Sequence, residues 1–215
     1  MKRNFKNNIS AAMLCALAYI LMLISKMIPA VSGFLQYDLK DVAIVTGGFI
    51  LGPIYALLIT LLVTVIELLT VSDTGIIGLI MNFISTGAFC VTASFIYQKK
   101  KTMKGAFLGL FFGTILLTVL MALWNYYMIP KFTPGISREI VVDMLPTILI
   151  PFNLIKGFLN SGVTLLIYRT VTEGLKRAGL MERKENTPSK KAFSPALVIG
   201  IVLILIFVPL LLSMM

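Results

Sequence analysis

The chain has 215 residues, 58% of them hydrophobic and only 13% charged, with a mean hydropathy of +0.96. A soluble domain carries about 25% charged and roughly 45–50% apolar residues, so the composition excludes a water-soluble globule and points to an all-α integral membrane protein. Histidine is absent and the two cysteines, Cys15 and Cys90, fall in apolar segments; this leaves no basis for a disulfide framework or a metal site, and both read as small packing residues.

Lys2, Arg3 and Lys6 precede an apolar run from Ile9 to Ile28. At about 20 residues it exceeds the 7–15 of a signal-peptide core, and no clear small-residue cleavage site follows; it is expected to be a retained first membrane helix. Ala12 and Ala16 stand four apart on one face, a step that lets another helix backbone approach closely. They are candidates for docking a partner helix, with packing inside the bundle as the plain alternative. Residues 29–41, with Gly33, Gln36, Tyr37, Asp38, Lys40 and Asp41, form an expected loop rich in groups that hydrogen-bond a ligand or simply water. A short helix over 42–51 should stop at Gly52-Pro53, because glycine ends helices and proline lacks the amide donor. The next helix covers 54–71. Its Glu67 lies one turn from the end, within reach of the interface, and receives no function. A turn at Asp73-Thr-Gly75 leads to a helix over 76–97 with Asn82 near its start, then to the basic turn of Lys99, Lys100, Lys101 and Lys104.

In the helix expected over 105–127, Gly105, Gly109 and Gly113 recur every four residues, the mark of a tight helix–helix seam. It ends in Trp124-Asn125-Tyr126-Tyr127, an aromatic belt at the water boundary with an amide embedded in it. A polar loop from 130 to 143 follows, and Pro146 and Pro151 predict an irregular start to a helix over about 147–172. At 100° per residue, Asn153, Lys156, Gly157, Asn160 and Thr164 of that helix fall within roughly 100° of arc, surrounded by Leu, Ile, Val and Phe. In lipid, such a stripe must face a cavity or other helices. A charged linker from Glu173 to Lys191 then precedes an uncharged run, 196–215, long enough to cross the bilayer. The reading is seven spans, the last peripheral: a membrane domain over 1–175, a linker over 176–195, and an extra helix over 196–215 that carries no polar residue before Ser213 and is expected to be dispensable for binding.

The net charge of +10 sorts by side. Lys2, Arg3, Lys6, the lysines of 99–104 and the basic residues from Arg169 to Lys191 share one side. Lys26, Lys40, Lys131, Arg138 and Lys156 lie toward the other, outnumbered by Asp38, Asp41, Glu67, Asp73, Glu139 and Asp143. The positive-inside bias then makes the amino terminus cytoplasmic in a multi-pass cell-membrane protein, and the basic excess is topology information, not a nucleic-acid footprint. This orientation gathers the 29–41 loop, Asn82, the Trp124–Tyr127 belt, Asn153 and Lys156 toward the outer leaflet. Asn side chains pair donors with acceptors, lysine donates, and the rings at 124, 126 and 127 offer flat faces. The sum suits a neutral, planar, polar-edged molecule entering from outside. Lys156 could instead snorkel; if it does contact ligand, its replacement by Met should leave folding intact or improved. Nucleophilic and metal chemistry lack their parts, and no phosphate-binding Gly-Lys-Ser/Thr loop is present, so uphill transport would draw energy from another subunit or an ion gradient.

Asn153-x-x-Lys156-Gly157 with Asn160-Ser161, Asp38-Leu-Lys-Asp41-Val, the Gly48-Phe-Ile-Leu-Gly52-Pro53 break and the Ala12-x-x-x-Ala16 step resemble the riboflavin-binding substrate-capture (S) components of energy-coupling factor (ECF) vitamin transporters, over about residues 9–175. The break and the Ala step are shared broadly by S components; the Asn153/Lys156 pairing is the feature specific to flavin. The resemblance implies a six-helix S-component bundle that binds riboflavin, or FMN, from the extracellular side as transported ligand rather than cofactor. It implies docking through the first helix, with Ala12 and Ala16, on a membrane coupling subunit driven by two ATPases, and no catalysis by this chain. Asn153 and Lys156 would meet the polar edge of the isoalloxazine, with Asn125 as companion. Tyr37 and Asp38 would belong to the closing loop, and Asn82, Trp124 and Asn160 complete the candidate ligand set. The 196–215 helix has no place in that plan. An S component for another vitamin such as thiamine, or a membrane-embedded lipid-modifying enzyme, is the alternative.

Overall fold

The computed structural model describes residues 2–72, 74–133, 135–180 and 195–215. In a bilayer the backbone has no water to bond, so apolar segments satisfy their amides internally as helices. The elements are α1 (Lys2–Ser25), α2 (Lys40–Leu51), α3 (Pro53–Thr70), α4 (Gly75–Lys100), α5 (Met103–Phe132), α6 (Arg138–Met144), a π-helical turn (Leu145–Leu149), α7 (Ile150–Arg177) and α8 (Pro195–Met214). Among the described residues, six helices are long and apolar enough to cross a membrane, the stretch from Arg138 to Tyr168 counting as one. Of the seven expected spans, the one over 42–51 is α2, which has 12 residues, or about 18 Å, too short for a hydrocarbon core of about 30 Å.

The breaks follow local chemistry. Gly52, at φ +110°, separates α2 from α3, whose first residue is Pro53, where a missing amide costs nothing. Lys101, at φ +46°, ends α4, and the Thr102 hydroxyl accepts the Gly105 amide at 3.1 Å to cap α5. Several boundaries differ from expectation. α5 continues past the aromatic belt through Pro130 to Phe132, and the polar stretch after it contains α6, capped by Ser137. The irregular start expected from Pro146 and Pro151 is present as the π-helical turn ahead of α7. At its far end α7 runs to Arg177, so Glu173 belongs to the helix and not to a linker; most of the linker expected over 176–195 lies outside the described residues.

Two apolar clusters fill the bundle. One gathers Leu14, Val45, Phe49, Ile59, Phe89 and Leu110 from α1 to α5. The other lies at the end bearing the α1–α2 loop, hereafter the loop end, and joins Val31, Leu35 and Tyr37 of the loop to Leu149, Phe152 and Leu211. The glycine seam divides. A Cβ on Gly109 would stand 2.5 Å from the Ala93 carbonyl oxygen and one on Gly113 2.7 Å from that of Phe89, so these two set the α4–α5 contact, whereas Gly105 faces Lys100 beside its own cap. Cys15 and Cys90 are buried and free.

The seam makes a signed prediction. Gly109→Ala drives a methyl into a backbone carbonyl and should destabilise the bundle by about 1–3 kcal/mol. Gly174→Ala, with open space at its Cβ, should be neutral or stabilise by roughly 0.5–1 kcal/mol, the helix preference of Ala over Gly. Thermal unfolding in one detergent compares them; equal behaviour would mean the seam has room to spare.

Candidate functional site

The loop between α1 and α2 folds back on the end of α1. Ser32 and Gly33 take positive φ, and Val31 bridges Leu35. The Gln36 amide donates to the carbonyls of Ser25 and Ile28, each at 3.2 Å, and the Ser25 hydroxyl accepts the Leu39 amide at 2.8 Å. Beneath the loop, Tyr37 donates its phenol hydrogen to Asn160 Oδ1 at 2.8 Å. Asn160 Nδ2 donates to the Asp38 carbonyl at 3.0 Å and to Asp41 Oδ2 at 3.1 Å. One fully buried amide on α7 thus fastens the loop and the start of α2.

Between this loop and the ends of α1, α3, α4, α5 and α7 lies a cavity of about 570 Å³, within the roughly 300–1,000 Å³ of small-molecule sites. Asn153, Lys156, Asn125, Asn82, Tyr37, Asp38 and Trp124 all line it. Asn160, also a candidate, does not: it is wholly buried below the floor, and its amide is spent on Tyr37, Asp38 and Asp41. The polar arc on α7 therefore divides by depth. Asn153 and Lys156 face the cavity, Gly157 admits Thr114 of α5, and the Thr164 hydroxyl bonds back to the Asn160 carbonyl at 2.6 Å. The aromatic belt divides as well. Trp124 reaches the cavity, Tyr127 is exposed, and Tyr126 lies under the Arg138 guanidinium at 5.2 Å.

Several charged groups below and beside the cavity form a network that no local sequence pattern signals. Lys40 and Asp41, expected in the loop, open α2 and have no solvent exposure. Lys40 donates to Asp38 and, at 2.6 Å, to Glu67 Oε2. Glu67 is buried rather than interfacial, and its other oxygen accepts from Asn82 at 3.1 Å with Lys26 at 3.8 Å. Asp41 accepts from Thr86 at 2.6 Å and faces Lys156 at 3.9 Å. Three lysines thus meet three carboxylates. Lys156 accordingly neither snorkels nor awaits a ligand for its charge, since Asp41 already serves as counterion.

What remains unspent is specific. No buried side-chain nitrogen or oxygen among the described residues lacks a partner. Asn125, 5% exposed, makes no side-chain hydrogen bond among them, so its amide opens into the cavity it lines. Asn153 uses its nitrogen on the Leu149 carbonyl at 2.8 Å, leaving its oxygen to the cavity. Among the described residues, the Lys156 ammonium has no acceptor within hydrogen-bond distance. These three groups, with the Trp124 ring and apolar walls such as Met81, Met121 and Phe152, suit a flat molecule whose edge alternates acceptors and donors.

The sequence profile of the family described as "ECF transporter, substrate-specific component" matches residues 6–168. The chain is 31% identical over 183 residues to "Riboflavin transporter RibU" of Staphylococcus aureus (strain TCH60), covering 82% of this chain and 95% of that one. It is 29% identical over 171 residues to "Riboflavin transporter FmnP" of Bacillus subtilis (strain 168), covering 76% and 90%. A solved structure described as "Structure and mechanism of the S component of a bacterial ECF transporter" superposes with a TM-score of 0.68 at 31% identity, covering 81% of this chain and 99% of that one. With three-quarters of its length under the family profile and an S-component structure matched nearly whole, this chain belongs to the substrate-specific components of ECF transporters.

Proposed function

We propose that the chain captures riboflavin on the outer side of the cell membrane for ATP-driven uptake. The observation that carries this is the set of unspent groups at Asn125, Asn153 and Lys156 around one cavity. The pyrimidine edge of an isoalloxazine presents two carbonyls flanking a ring N–H, which an amide meets with donor and acceptor at once and a lysine meets as donor. Trp124 and the methionines supply the flat apolar surfaces, and the riboflavin transporters among the relatives support the same ligand. Because Lys26, Lys40 and Lys156 are balanced by Asp38, Asp41 and Glu67, the site has no spare positive charge, which favours neutral riboflavin over anionic FMN.

Orientation and coupling complete the reading. The lysines of 99–104 lie at the end opposite the loop, where Lys6 also reaches the Gly179 carbonyl at 2.9 Å, so the positive-inside bias turns the cavity outward. Ala12 and Ala16 are exposed on α1, leaving their step free for a coupling subunit that brings the two ATPases.

Purified protein should quench riboflavin fluorescence at micromolar concentration, and FMN should compete less well; no quenching would sink the flavin reading. Lys156→Met removes donors from the ligand and a neighbour from Asp41. It should weaken riboflavin binding by about 1.5–3 kcal/mol, the worth of a hydrogen bond to a charged group. It should also lower the stability of the ligand-free protein, by up to about 3–5 kcal/mol if Asp41 stays charged, which reverses the expectation from sequence. Adding Asp41→Asn should restore part of the stability but not the affinity; restored affinity would remove Lys156 from the ligand. Ala12→Trp or Ala16→Trp should abolish uptake in cells while leaving riboflavin affinity unchanged, and loss of both activities together would place the step inside the bundle.

A further inference from the structure

Helix α8 lies beyond the family match, which ends at residue 168, and it contributes nothing to the cavity lining at the loop end. It is nonetheless fixed to the helix that carries Asn153 and Lys156. A Cβ on Gly200 would stand 2.8 Å from the Gly162 carbonyl oxygen, and one on Gly162 3.0 Å from that of Gly200, so the two backbones touch there. Further along, the Phe207 ring stacks on Phe158 of α7 at 5.1 Å with 18° between planes, and Phe158 faces Phe111 of α5 at 6.2 Å. Leu211 is buried in the loop-end cluster with Tyr37, Leu149 and Phe152. Tyr37 and Phe152 are cavity walls.

The cluster these contacts join includes the irregular entry to α7. Pro146 and Pro151 donate no amide hydrogen, and Leu145–Leu149 is wound as a π turn, a form found mostly as single turns at functional sites. Asn153 even spends its side-chain nitrogen on the Leu149 carbonyl of that turn. Where a helix gives up its own hydrogen bonds, its course depends on what packs against it. The turn itself is bordered by α5 and α6, and α8 packs along α7 beyond it, with Leu211 in the cluster that holds Leu149 and Phe152.

We propose that α8 is a positioning element for the binding site: Phe207 and Leu211 hold the proline-broken start of α7, and with it Phe152 and Asn153, at the cavity wall. Against the expectation from sequence, α8 is then not dispensable for binding. The proposal rests on the riboflavin reading only for its choice of ligand probe.

The test compares Phe207→Ala and Leu211→Ala with Phe207→Leu and with Leu205→Ala, whose side chain is 69% exposed on the same helix. All are full-length chains in nanodiscs. Hydrogen exchange resolved by segment needs no ligand: the two core-side alanine variants should lose about tenfold or more of protection over residues 147–156, with the α4–α5 seam unchanged. Riboflavin release should quicken by about tenfold, since such changes act mainly on dissociation. Phe207→Leu should recover most of both effects, and Leu205→Ala should show neither. Unchanged exchange over 147–156, loss of protection throughout the bundle, or altered exchange with wild-type release would each overturn the proposal. If the wild type does not bind riboflavin, the ligand reading fails, and the exchange pattern alone decides the role of α8.

Discussion

A lysine without solvent exposure, clamped between carboxylates from a loop and from another helix, is the constraint on which this bundle turns. Taking an ion out of water costs several kcal/mol even after relaxation, so Lys40 is tolerable only with Asp38 and Glu67 both in place. Asp38 belongs to the loop, Lys40 to α2 and Glu67 to α3. Their meeting therefore fixes where the loop sits relative to the end of α3. Asn82 carries the same network to α4, and Asp41, Thr86 and Asn160 carry it to α4 and α7. Apolar packing alone would let these helices slide, because lipid tails are as apolar as leucine and give no hydrophobic drive to associate. The buried ions supply the register that packing cannot.

This arrangement divides labour between charge and recognition. The carboxylates and Lys40 satisfy one another, so they form scaffold. On the proposed reading, recognition falls to the neutral amides of Asn125 and Asn153 and to the Lys156 ammonium, which like that of Lys26 stands too far from its counterion for a hydrogen bond. A site built this way presents directed donors and acceptors without a strong net field. Such a site would select by edge pattern and shape rather than by charge.

Much of this was legible in the sequence, because the spans announce themselves by length and composition. The Gly52-Pro53 break, the α4–α5 glycines and the disturbance at Pro146 and Pro151 each follow from what one residue does to its own backbone. Seven of the eight candidate ligand residues came to one cavity because helix period and membrane side together place side chains well. The misses share a cause. From sequence Glu67 reads as interfacial and Lys40 and Asp41 as loop residues, because nothing local says that residues 27 positions apart will pair. Asn160 shares its helix face with Asn153 and Lys156, yet it lies about one turn deeper, roughly 5.4 Å. A helical arc reports direction but not depth, and depth decides whether an amide meets a ligand or a loop.

Depth also explains why the irregular backbone sits where it does. Inside a bilayer, a turn that forfeits its helical hydrogen bonds is tolerated only where protein or a cavity covers it. The Leu145–Leu149 turn has the cavity-lining Phe152 and Asn153 just beyond it on one side, and a cluster containing the loop and Leu211 of α8 on the other. At the end of that turn the Leu149 carbonyl accepts from the Asn153 side-chain amide, and on the proposed reading the oxygen of that amide is left for a ligand. The proline-broken start of α7 is thus part of how the site is made, and its cost is met by the two surfaces that enclose it.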